Sequence, residues 1–520
     1  MSSSLTLLGV VPLAGALVVS LLPKGRDLLV KQVALGTSLV VLVLTAVMCV
    51  QFDPKGDRFQ FVQSHDWIRA FGVHYSVGVD GIALVLIGLI AVLVPVVVLA
   101  SWDDVESLAV EGADAPASGR KSVKSFFGLM LVLQTMMIGV FAATDVFLFY
   151  VFFEAMLIPM YFLIGAYGGP RRSYAAVKFL LYSLLGGLLM LAAVIGLYVQ
   201  SAKHGAGTFS FEALTQLDLS HTTQAWLFLG FFIAFAIKAP LFPFHTWLPD
   251  AGAEAPIGGA VLLVGVLDKV GTFGFLRYCL PLFPWAAREF APYVITLSVI
   301  GVLYGALLAM GQKDLKRLVS YTSVAHFGFI GMGCFAFTTQ AGTGAVLYMV
   351  NHGLSTGALF MVIGFLINRG KSRLIGDYSG IAKVAPTLAA LFFVSGLSAL
   401  ALPGLSTFVS EFLVLVGTFP RYTVAAVFAT IGIILAALYI LLMYQRTMQG
   451  PLSSAHAVMK DLNVREVAAL APLIALMLIL GFYPKPVTDI ITPAVKATMQ
   501  DVGAHDPPPT DVAARAAESK

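Results

Sequence analysis

Residues 235–256 read FAIKAPLFPFHTWLPDAGAEAP, and this stretch places a lysine at the end of a long apolar run. Lys238 is followed within five residues by Pro240 and Pro243. Proline has no backbone N–H and interrupts the hydrogen-bond ladder of a helix. The stretch therefore predicts a helix that breaks beside a buried cation.

The composition places the chain in a lipid membrane. Of its 520 residues, 58% are hydrophobic and 12% are charged, about half the charged share of a typical soluble domain. Apolar runs of membrane-spanning length recur from end to end. The net charge of +4 comes from basic residues in short loops between these runs, so it does not indicate a nucleic-acid partner. We predict an all-α polytopic membrane protein.

Fourteen transmembrane helices are predicted from windows of about 20 apolar residues bounded by charges or turn residues. They cover approximately residues 4–22, 28–49, 78–100, 126–143, 145–166, 178–199, 224–243, 257–279, 293–310, 318–338, 343–367, 386–418, 423–444 and 466–484. Glu154 and Lys238 are separated by nearly the same number of residues as His326 and Glu411. This match favours two inverted repeats of five helices each, helices 4–8 and 9–13.

The basic residues predict the orientation. Lysines and arginines concentrate on one set of alternating loops, which includes those around Lys121, Arg172 and Lys371. Such loops face the interior of the cell, so we predict an even number of spans with both termini on the outer side. The first apolar run has no basic residue before it, unlike a cleaved signal peptide.

The chain is predicted to form one transmembrane domain over residues 1–485. Repeat one covers about 126–279 and repeat two about 293–444. Residues 486–520 form a C-terminal segment that we expect to be largely disordered, because its end is rich in proline, alanine and charge.

A second helix is also predicted to break. The run 386–418 would be roughly 50 Å long as a continuous helix, against a hydrocarbon core of about 30 Å. Pro403 and Gly404 mark the point where its hydrogen bonds should open. Opened backbone is tolerated at this depth only where it faces protein or a cavity. The two breaks, near Lys238 and Glu411, therefore indicate a transport site.

Ionisable residues in the hydrocarbon are costly and usually functional. Six of them are predicted to transfer protons: Glu154, Lys238, Lys269, His326, His352 and Glu411. The alternative for each is a structural ion pair or packing contact, and for four charges near span ends we prefer that interpretation: Asp145, Lys178, Asp250 and Glu254. Asp268 adjoins Lys269, but sequence neighbours point apart on a regular helix, so we do not expect a direct pair.

A buried lysine can take up or release a proton when its distance to a nearby carboxylate changes. At an effective dielectric constant of about 20, a carboxylate at about 4 Å changes the free energy of the charged lysine by about 4 kcal/mol. Moving the carboxylate away could switch the lysine from holding a proton to releasing it. Moving one charge through 100 mV costs about 2.3 kcal/mol, which such a switch could supply.

The sequence carries no pattern for a redox cofactor or a metal. Cys49, Cys279 and Cys334 are far apart and form no CxxC pair, so a zinc or iron–sulfur site is not expected. There is also no glycine-rich phosphate loop of the GxGxxG or GxxxxGK[ST] type.

Several long stretches resemble the antiporter-like membrane subunits of respiratory complex I. They are TDVFLFYVFFEAMLIPMYFLIG, RRSYAAVKFLLYSLLGG, AIKAPLFPFHTWLPDAGAEAP, GQKDLKRLVSYTSVAHFGF and NHGLSTGALF, within a match over roughly residues 75–450. Glu411 is typical of the branch that carries glutamate in the twelfth helix where its relatives carry lysine. Two positions depart from the pattern: Gly252 replaces an expected histidine, and Asp268 replaces an apolar residue.

The resemblance implies a fold of 14 helices and one proton channel. In it Glu154 and Lys238 form the coupling pair, Lys269 is the central relay, His326 and His352 extend the hydrated axis, and Glu411 is the terminal group towards the outside. NADH, FMN, iron–sulfur clusters and quinone belong to other subunits. The implied partners are other membrane-arm subunits, especially the antiporter-like subunits L and N, in a bacterial inner membrane with periplasmic termini.

Other functions remain open from the sequence. A subunit of a multisubunit sodium–proton antiporter or of a membrane-bound hydrogenase would share this fold and many of these motifs. A purely structural membrane scaffold is a third class, against which the six intramembrane titratable groups argue.

Overall fold

The computed structural model describes residues 4–105, 122–203 and 205–508, and helices dominate it. The first six helices are α1 (Ser4–Leu21), α2 (Asp27–Gln51), α3 (Gly81–Ala100), α4 (Val123–Ala142), α5 (Val146–Ala155) and α6 (Leu157–Tyr167). The middle of the chain forms α7 (Arg172–Lys203), α8 (Phe211–Thr215), α9 (His221–Lys238), α10 (Trp247–Glu254), α11 (Ile257–Leu282), α12 (Pro284–Met310) and α13 (Leu315–Phe335). The last six helices are α14 (Thr339–Gly370), α15 (Pro386–Ala399), α16 (Ser406–Thr418), α17 (Thr423–Met448), α18 (Val464–Phe482) and α19 (Lys485–Asp501).

The predicted helical membrane architecture is confirmed. Within the described residues, 12 helices are long and apolar enough to cross a membrane. The other two predicted spans are the broken ones, α9 with α10 and α15 with α16. The count of fourteen stays a prediction.

The first predicted break lies between Lys238, where α9 ends, and Trp247, where α10 begins. Pro240 has no N–H for the carbonyl of Ala236, and the N–H of Leu241 bonds to that carbonyl instead, at 2.9 Å. The indole of Trp247 donates to the carbonyl of Ile237 at 2.8 Å. Protein groups therefore satisfy these two carbonyls of the opened helix.

The second break lies between Ala399 and Ser406, as the sequence predicts. Ala401 and Gly404 have positive φ angles of 60° and 93°. The carbonyl of Gly404 lies 2.3 Å from the point where a Cβ on Gly481 would stand. A side chain at position 481 would therefore push against the break.

The structure adds a β-hairpin that the sequence analysis does not predict. Strand β1 (Gln60–Ile68) pairs antiparallel with β2 (Val73–Val79) between α2 and α3. The left-handed Gly72, at φ 62°, lies in the turn. An isolated bridge joins Val77 to Ala143, at the end of α4.

The C-terminal segment differs from expectation over its first part. Residues 485–501 form α19, which buries Ile491, Val495 and Met499. The ion pair between Arg58 and Asp501, at 2.7 Å, holds the end of α19. The expectation of disorder therefore does not hold for 486–501, and the last residues, 509–520, lie outside the described part of the chain.

Helix α11 is irregular at two places. Residues Leu263–Leu267 and Phe275–Cys279 adopt π-helical turns on either side of Lys269. The N–H of Asp268 bonds to the carbonyl of Leu263, five residues back, at 3.2 Å. A π turn accommodates an extra residue and is common at functional sites.

The helix ends lie on two sides, which we name by their features. The hairpin side holds β1, β2 and α19, with the bridge between Asp145 and Ser210. The charged side holds the bridge between Asp314 and Leu374 and the described residues of the loops predicted to face the interior. Helix α11 runs from the charged side at Ile257 to the hairpin side, so Lys269 lies about midway.

Candidate functional site

Lys269 lies at the centre of the helical domain and is fully buried. Its ammonium donates to the carbonyl of Val264. The amide of Asp268 bonds to Leu263 rather than to Val264, so the π turn leaves the Val264 carbonyl without its usual partner four residues on. The backbone irregularity thus supplies an acceptor for a buried cation.

Asp268 forms a direct ion pair with Lys269, which corrects the expectation from helical spacing. The carboxylate Oδ1 lies 3.0 Å from the ammonium, and both side chains are fully buried. Long helical side chains point back towards the helix N-terminus, so the ammonium reaches past Asp268 to Val264. The two groups meet there although their residues are adjacent.

His352 on α14 contacts Lys269 directly. Its Nδ1 lies 2.7 Å from the ammonium, and a neutral ring with its hydrogen on Nε2 would accept a hydrogen bond there. The ring of Phe327 covers the ammonium, with its centroid 5.2 Å away. A proton leaving Lys269 therefore has one nearby basic nitrogen.

His326, Tyr348 and Glu411 continue the line from His352. The rings of His326 and His352 have centroids 5.2 Å apart, and those of His326 and Tyr348 are 5.8 Å apart. Neither nitrogen of His326 makes a hydrogen bond of ordinary geometry to another residue that the structure describes. The hydroxyl of Tyr348 donates to Oε2 of Glu411 at 2.7 Å. We call the groups from Asp268 through Lys269, His352, His326 and Tyr348 to Glu411 the central file.

Asn351 fixes the second broken helix beside the central file. Its amide donates to the carbonyl of Ser406 at 2.7 Å and to the hydroxyl of Ser410 at 3.2 Å. Across the break, the hydroxyls of Ser398 and Thr407 are 3.3 Å apart. These contacts place Glu411, on the next turn, against α14.

Lys238 lies apart from the central file, in an aromatic setting. Its ammonium is 4.9 Å from the ring centroid of Phe153 and 5.8 Å from that of Phe179. It is 1% exposed, and its ammonium has no hydrogen-bond partner among the described residues. Aromatic faces attract a cation but take no proton, so Lys238 needs another group for exchange.

Glu154 lies near Lys238, but among the described residues Oε1 of Glu154 and the ammonium of Lys238 make no hydrogen bond. It is half-buried, one residue before α5 ends. Oε1 of Glu154 lies 1.7 Å from the point where a Cβ on Gly187 would stand. The carboxylate therefore occupies the space that this glycine of α7 leaves open.

A local irregularity accompanies Glu154. Helix α5 ends at Ala155 and α6 begins at Leu157. Pro159 has no N–H to donate to the carbonyl of Ala155, four residues back. All three predicted ionisable groups of repeat one, Glu154, Lys238 and Lys269, thus lie beside interrupted helical backbone.

The charges near span ends make structural contacts, as the sequence analysis prefers. Asp145 accepts from the N–H groups of Phe147 and Leu148 and caps α5. Asp250 pairs with Lys178 at 2.7 Å and with Arg317 at 2.5 Å. Asp145 thus stabilises the start of its own helix, and Asp250 joins α10 to α7 and α13.

Besides Asp268, one member of the central file is not predicted from the sequence, namely Tyr348. It lies four residues before His352, on the same face of a helix, so spacing could have indicated it. Asp268 could not be assigned in this way, because the π turn is not visible in the residue pattern. Within the described residues, no cluster of three or more His, Cys, Asp and Glu could hold a metal ion.

Comparison with known proteins identifies the family of this chain. The family model described as "NADH:quinone oxidoreductase/Mrp antiporter, TM" matches residues 143–438. NADH-quinone oxidoreductase subunit M of Mycobacterium tuberculosis is 51% identical, over 97% of this chain and 96% of the relative. The protein of the same name from Rhodobacter capsulatus is 40% identical, over 96% of this chain and 97% of the relative.

Solved structures share the architecture. A chain of respiratory complex I from Thermus thermophilus with bound NADH superposes with a TM-score of 0.85 and 31% identity, covering 96% of this chain and 100% of that one. A chain of the Mrp complex from Dietzia has a TM-score of 0.78 at 23% identity, over 96% and 99%, which shows the fold alone. The family model covers more than half of the sequence, and on that basis this chain belongs to the NADH:quinone oxidoreductase/Mrp antiporter transmembrane family.

Proposed function

We propose that this chain translocates protons as an antiporter-like subunit of the membrane arm of an NADH:quinone oxidoreductase. The observation that carries the proposal is the central file, which links Lys269 to Glu411 through buried titratable groups. Buried charges of this kind are costly in a membrane and mark ion pathways. NADH oxidation and quinone reduction in other subunits would drive the transfer.

The groups would act in sequence. Glu154 and Lys238 form the coupling pair, and Lys269 is the central relay. His352 and His326 would pass the proton on, since an imidazole can accept a proton on one ring nitrogen and release one from the other. Glu411 would be the terminal group towards the outer side, with Tyr348 joining it to the histidines.

The open arrangement of Glu154 and Lys238 supports the coupling role. In water-poor surroundings with an effective dielectric constant of about 20, closing such a pair to about 4 Å stabilises both charges by about 4 kcal/mol. One charge crossing 100 mV costs about 2.3 kcal/mol. Opening and closing this pair could therefore supply the free energy of one transfer step.

The proposal also covers the other subunits of the complex and the membrane in which the chain lies. FMN, the iron–sulfur clusters and quinone would belong to other subunits, and the neighbours in the membrane arm would include the antiporter-like subunits L and N. The membrane would be a bacterial inner membrane, with both termini on the periplasmic side. The predominance of basic residues in the loops of the charged side supports this orientation.

The test is proton pumping by the intact complex in liposomes. Lys269→Met, with similar volume and no charge, should abolish most of the NADH-driven acidification of the vesicles while the complex still assembles. The matched control is Lys203→Met at the exposed end of α7, which should pump normally. Full pumping with Lys269→Met would overturn the proposal. Acidification that requires a sodium gradient rather than NADH would instead assign the chain to an antiporter complex.

A further inference from the structure

A polar cavity opens on the charged side, away from the central file. Its volume is about 330 Å³, and it lies between the end of α3, the loop after α6 and the ends of α10, α13 and α14. The ionisable and amide residues that line it are Asp104, Glu254, Lys316, Asn368, Lys371 and Arg373. The cavity could hold several water molecules.

One part of the lining has a structural task. Glu254 pairs with Arg373, at 3.1 Å, and accepts from the backbone N–H of Arg171 at 3.0 Å. Arg373 also pairs with Asp314 at 3.0 Å. These bonds connect α10 to the loops after α6 and α14. Glu254 and Arg373 therefore stabilise the wall of the cavity.

Asp104 and Lys316 form the other part. Both side chains are buried, at 7% exposure each. Lys316 donates to the carbonyl of Ala255, and Asp104 accepts from the amide of Asn368 at 3.3 Å. Burial raises the pKa of the Asp104 carboxyl to about 6, against the lowering effects of Asn368 and Lys316. That carboxyl can therefore exchange protons with water near neutral pH.

A ladder of hydroxyl groups leads inwards from the cavity. Lys316, Ser320, Ser323 and His326 recur every three or four residues and share one face of α13. Ser320 and Ser323 are fully buried. Gly252 abuts this ladder, since a Cβ there would stand 2.5 Å from the hydroxyl of Ser320.

The facing helix carries matching hydroxyls. Ser355 and Thr356 of α14 are buried, and neither hydroxyl oxygen has a hydrogen-bond partner among the described residues. Thr356 lies one turn from His352, on the side towards the cavity. Unsatisfied buried hydroxyls are natural places for water to bridge.

We propose that this cavity is the site where the chain takes up protons from the charged side, with Asp104 as the first acceptor. The hydroxyls of Ser320, Ser323 and Thr356, bridged by water, would then relay protons to His326 and His352. No covalent step is involved: a proton enters from water and leaves to an imidazole. This inference rests on the proposed function, because the protons taken up at the cavity would pass into the central file.

The environment of Asp104 defines its pH response. Lys316 faces it from α13, Asn368 and Lys371 from the end of α14, and Glu254 and Arg373 from across the cavity, with Asp103 adjacent in sequence. With an acceptor that titrates near pH 6, uptake should depend on the pH of the medium on the charged side.

The first experiment uses the intact complex in liposomes, driven by NADH added to the medium. Asp104→Asn should lower the number of protons pumped per NADH by about tenfold, and the remaining pumping should lose its pH dependence near pH 6. Asp104→Glu should retain both. The control is Asp57→Asn, at an exposed aspartate on the hairpin side; it should pump like the parent. Unchanged pumping and pH profile in Asp104→Asn would overturn the inference.

The outcome separates the two proposals. If Lys269→Met stops pumping and Asp104→Asn does not, the uptake site is wrong and the proposed function stands. If Lys269→Met pumps normally, the proposed function itself fails.

A second measurement does not depend on pumping. Lys316→Cys should be labelled by a membrane-impermeant thiol reagent added to the charged side, with the label located on this chain by mass spectrometry. Val319→Cys, fully buried on the same helix and outside the cavity lining, should stay unlabelled. Protection of Lys316→Cys would show that the cavity is closed to the medium and would overturn the inference.

Discussion

The ammonium of Lys269 lies 3.0 Å from the carboxylate of Asp268, its neighbour in the sequence, and both are fully buried. The π turn before them gives the lysine a backbone acceptor at Val264. The central cation therefore has a fixed counter-charge on one side and His352 on the other. Its proton can pass to the histidine while Asp268 stays in place.

Asp268→Asn should impair this relay. Breaking one partner of a buried ion pair costs roughly 3–5 kcal/mol when the other charge remains, so Lys269 should lose its proton more readily. We expect a loss of proton pumping of at least about tenfold, measured by vesicle acidification per NADH oxidised. Asp218→Asn, in an exposed loop, is the control. Equal pumping by the two variants would contradict a role for the pair.

Tyr348→Phe should weaken the connection to Glu411. The substitution keeps the ring against His326 and removes only the hydroxyl that donates to Glu411 at 2.7 Å. Loss of a hydrogen bond to a buried charged or polar group costs about 1–3 kcal/mol, which corresponds to roughly a 5- to 150-fold loss in transfer rate. Tyr293→Phe, at a tyrosine that is 67% exposed, should have no effect. A pumping rate equal to that of the parent would exclude Tyr348 from the route.

Gly187→Ala tests the position of Glu154. A Cβ at this residue would stand 1.7 Å from Oε1 of Glu154, so the carboxylate must move. Displacing it should change the coupling to Lys238 and reduce pumping several-fold, with NADH oxidation assayed in parallel. Gly88→Ala is the matched control, because no atom lies within 4 Å of a Cβ there. Equal proton pumping by Gly187→Ala and Gly88→Ala would show that pumping does not depend on the exact position of the Glu154 carboxylate.

Trp247→Phe tests how the first break is held. The indole N–H of Trp247 satisfies the carbonyl of Ile237 at 2.8 Å. Phenylalanine keeps most of the apolar contact and leaves this buried carbonyl unpaired, at a cost of about 1–3 kcal/mol. We expect faster thermal inactivation of the purified complex. The control Trp226→Phe, at a site that is 72% exposed, should inactivate at the parent rate. If Trp247→Phe also inactivates at the parent rate, the indole hydrogen bond does not stabilise the break.

Asp461 should make a pH-dependent contribution at the start of α15. Its carboxylate accepts from the N–H groups of Thr387 and Leu388 at 2.8 and 3.0 Å. Burial acts to raise its pKa, but these backbone hydrogen bonds outweigh it and the pKa is lowered. A lowered folded-state pKa gives stability that is present above about pH 4 and is lost as the pH falls below it.

Asp461→Ala should therefore lower resistance to heat at neutral pH, by about 1 kcal/mol as for other helix caps. The difference from the parent should shrink in acid. Thermal inactivation of the complex at pH 7 and at the lowest pH it tolerates is the measurement. A difference that grows in acid would contradict the assigned cause.

Much of the fold follows from local sequence. Apolar length alone indicates the spans, because each must cross a hydrocarbon core of fixed thickness. The breaks near Pro240 and Pro403 are predictable because proline removes a helical donor wherever it stands. Lys269 and Glu411 can also be identified from the sequence, because the free-energy cost of placing an ionisable side chain in a membrane depends mainly on its residue type.

The unpredicted parts are those in which separate segments meet. The β-hairpin exists because two short strands pair with each other and β2 bridges to Ala143. Helix α19 is ordered by its contact with the rest of the domain and by the Arg58–Asp501 pair, 443 residues apart. The amino-acid composition near the C-terminus does not predict that α19 packs against the domain or that Asp501 pairs with Arg58.

The amino-acid sequence alone specifies a helical membrane protein with two broken helices and six ionisable groups in its apolar runs. The folded structure sets which of these groups touch. It joined Lys269 to His352 and Tyr348 to Glu411, paired Asp268 with its neighbour, and left Glu154 and Lys238 apart. The physical reason is that the energy of burying a charge is a local property of the residue, whereas proton transfer and ion pairing depend on distances of a few ångströms between helices that packing alone sets.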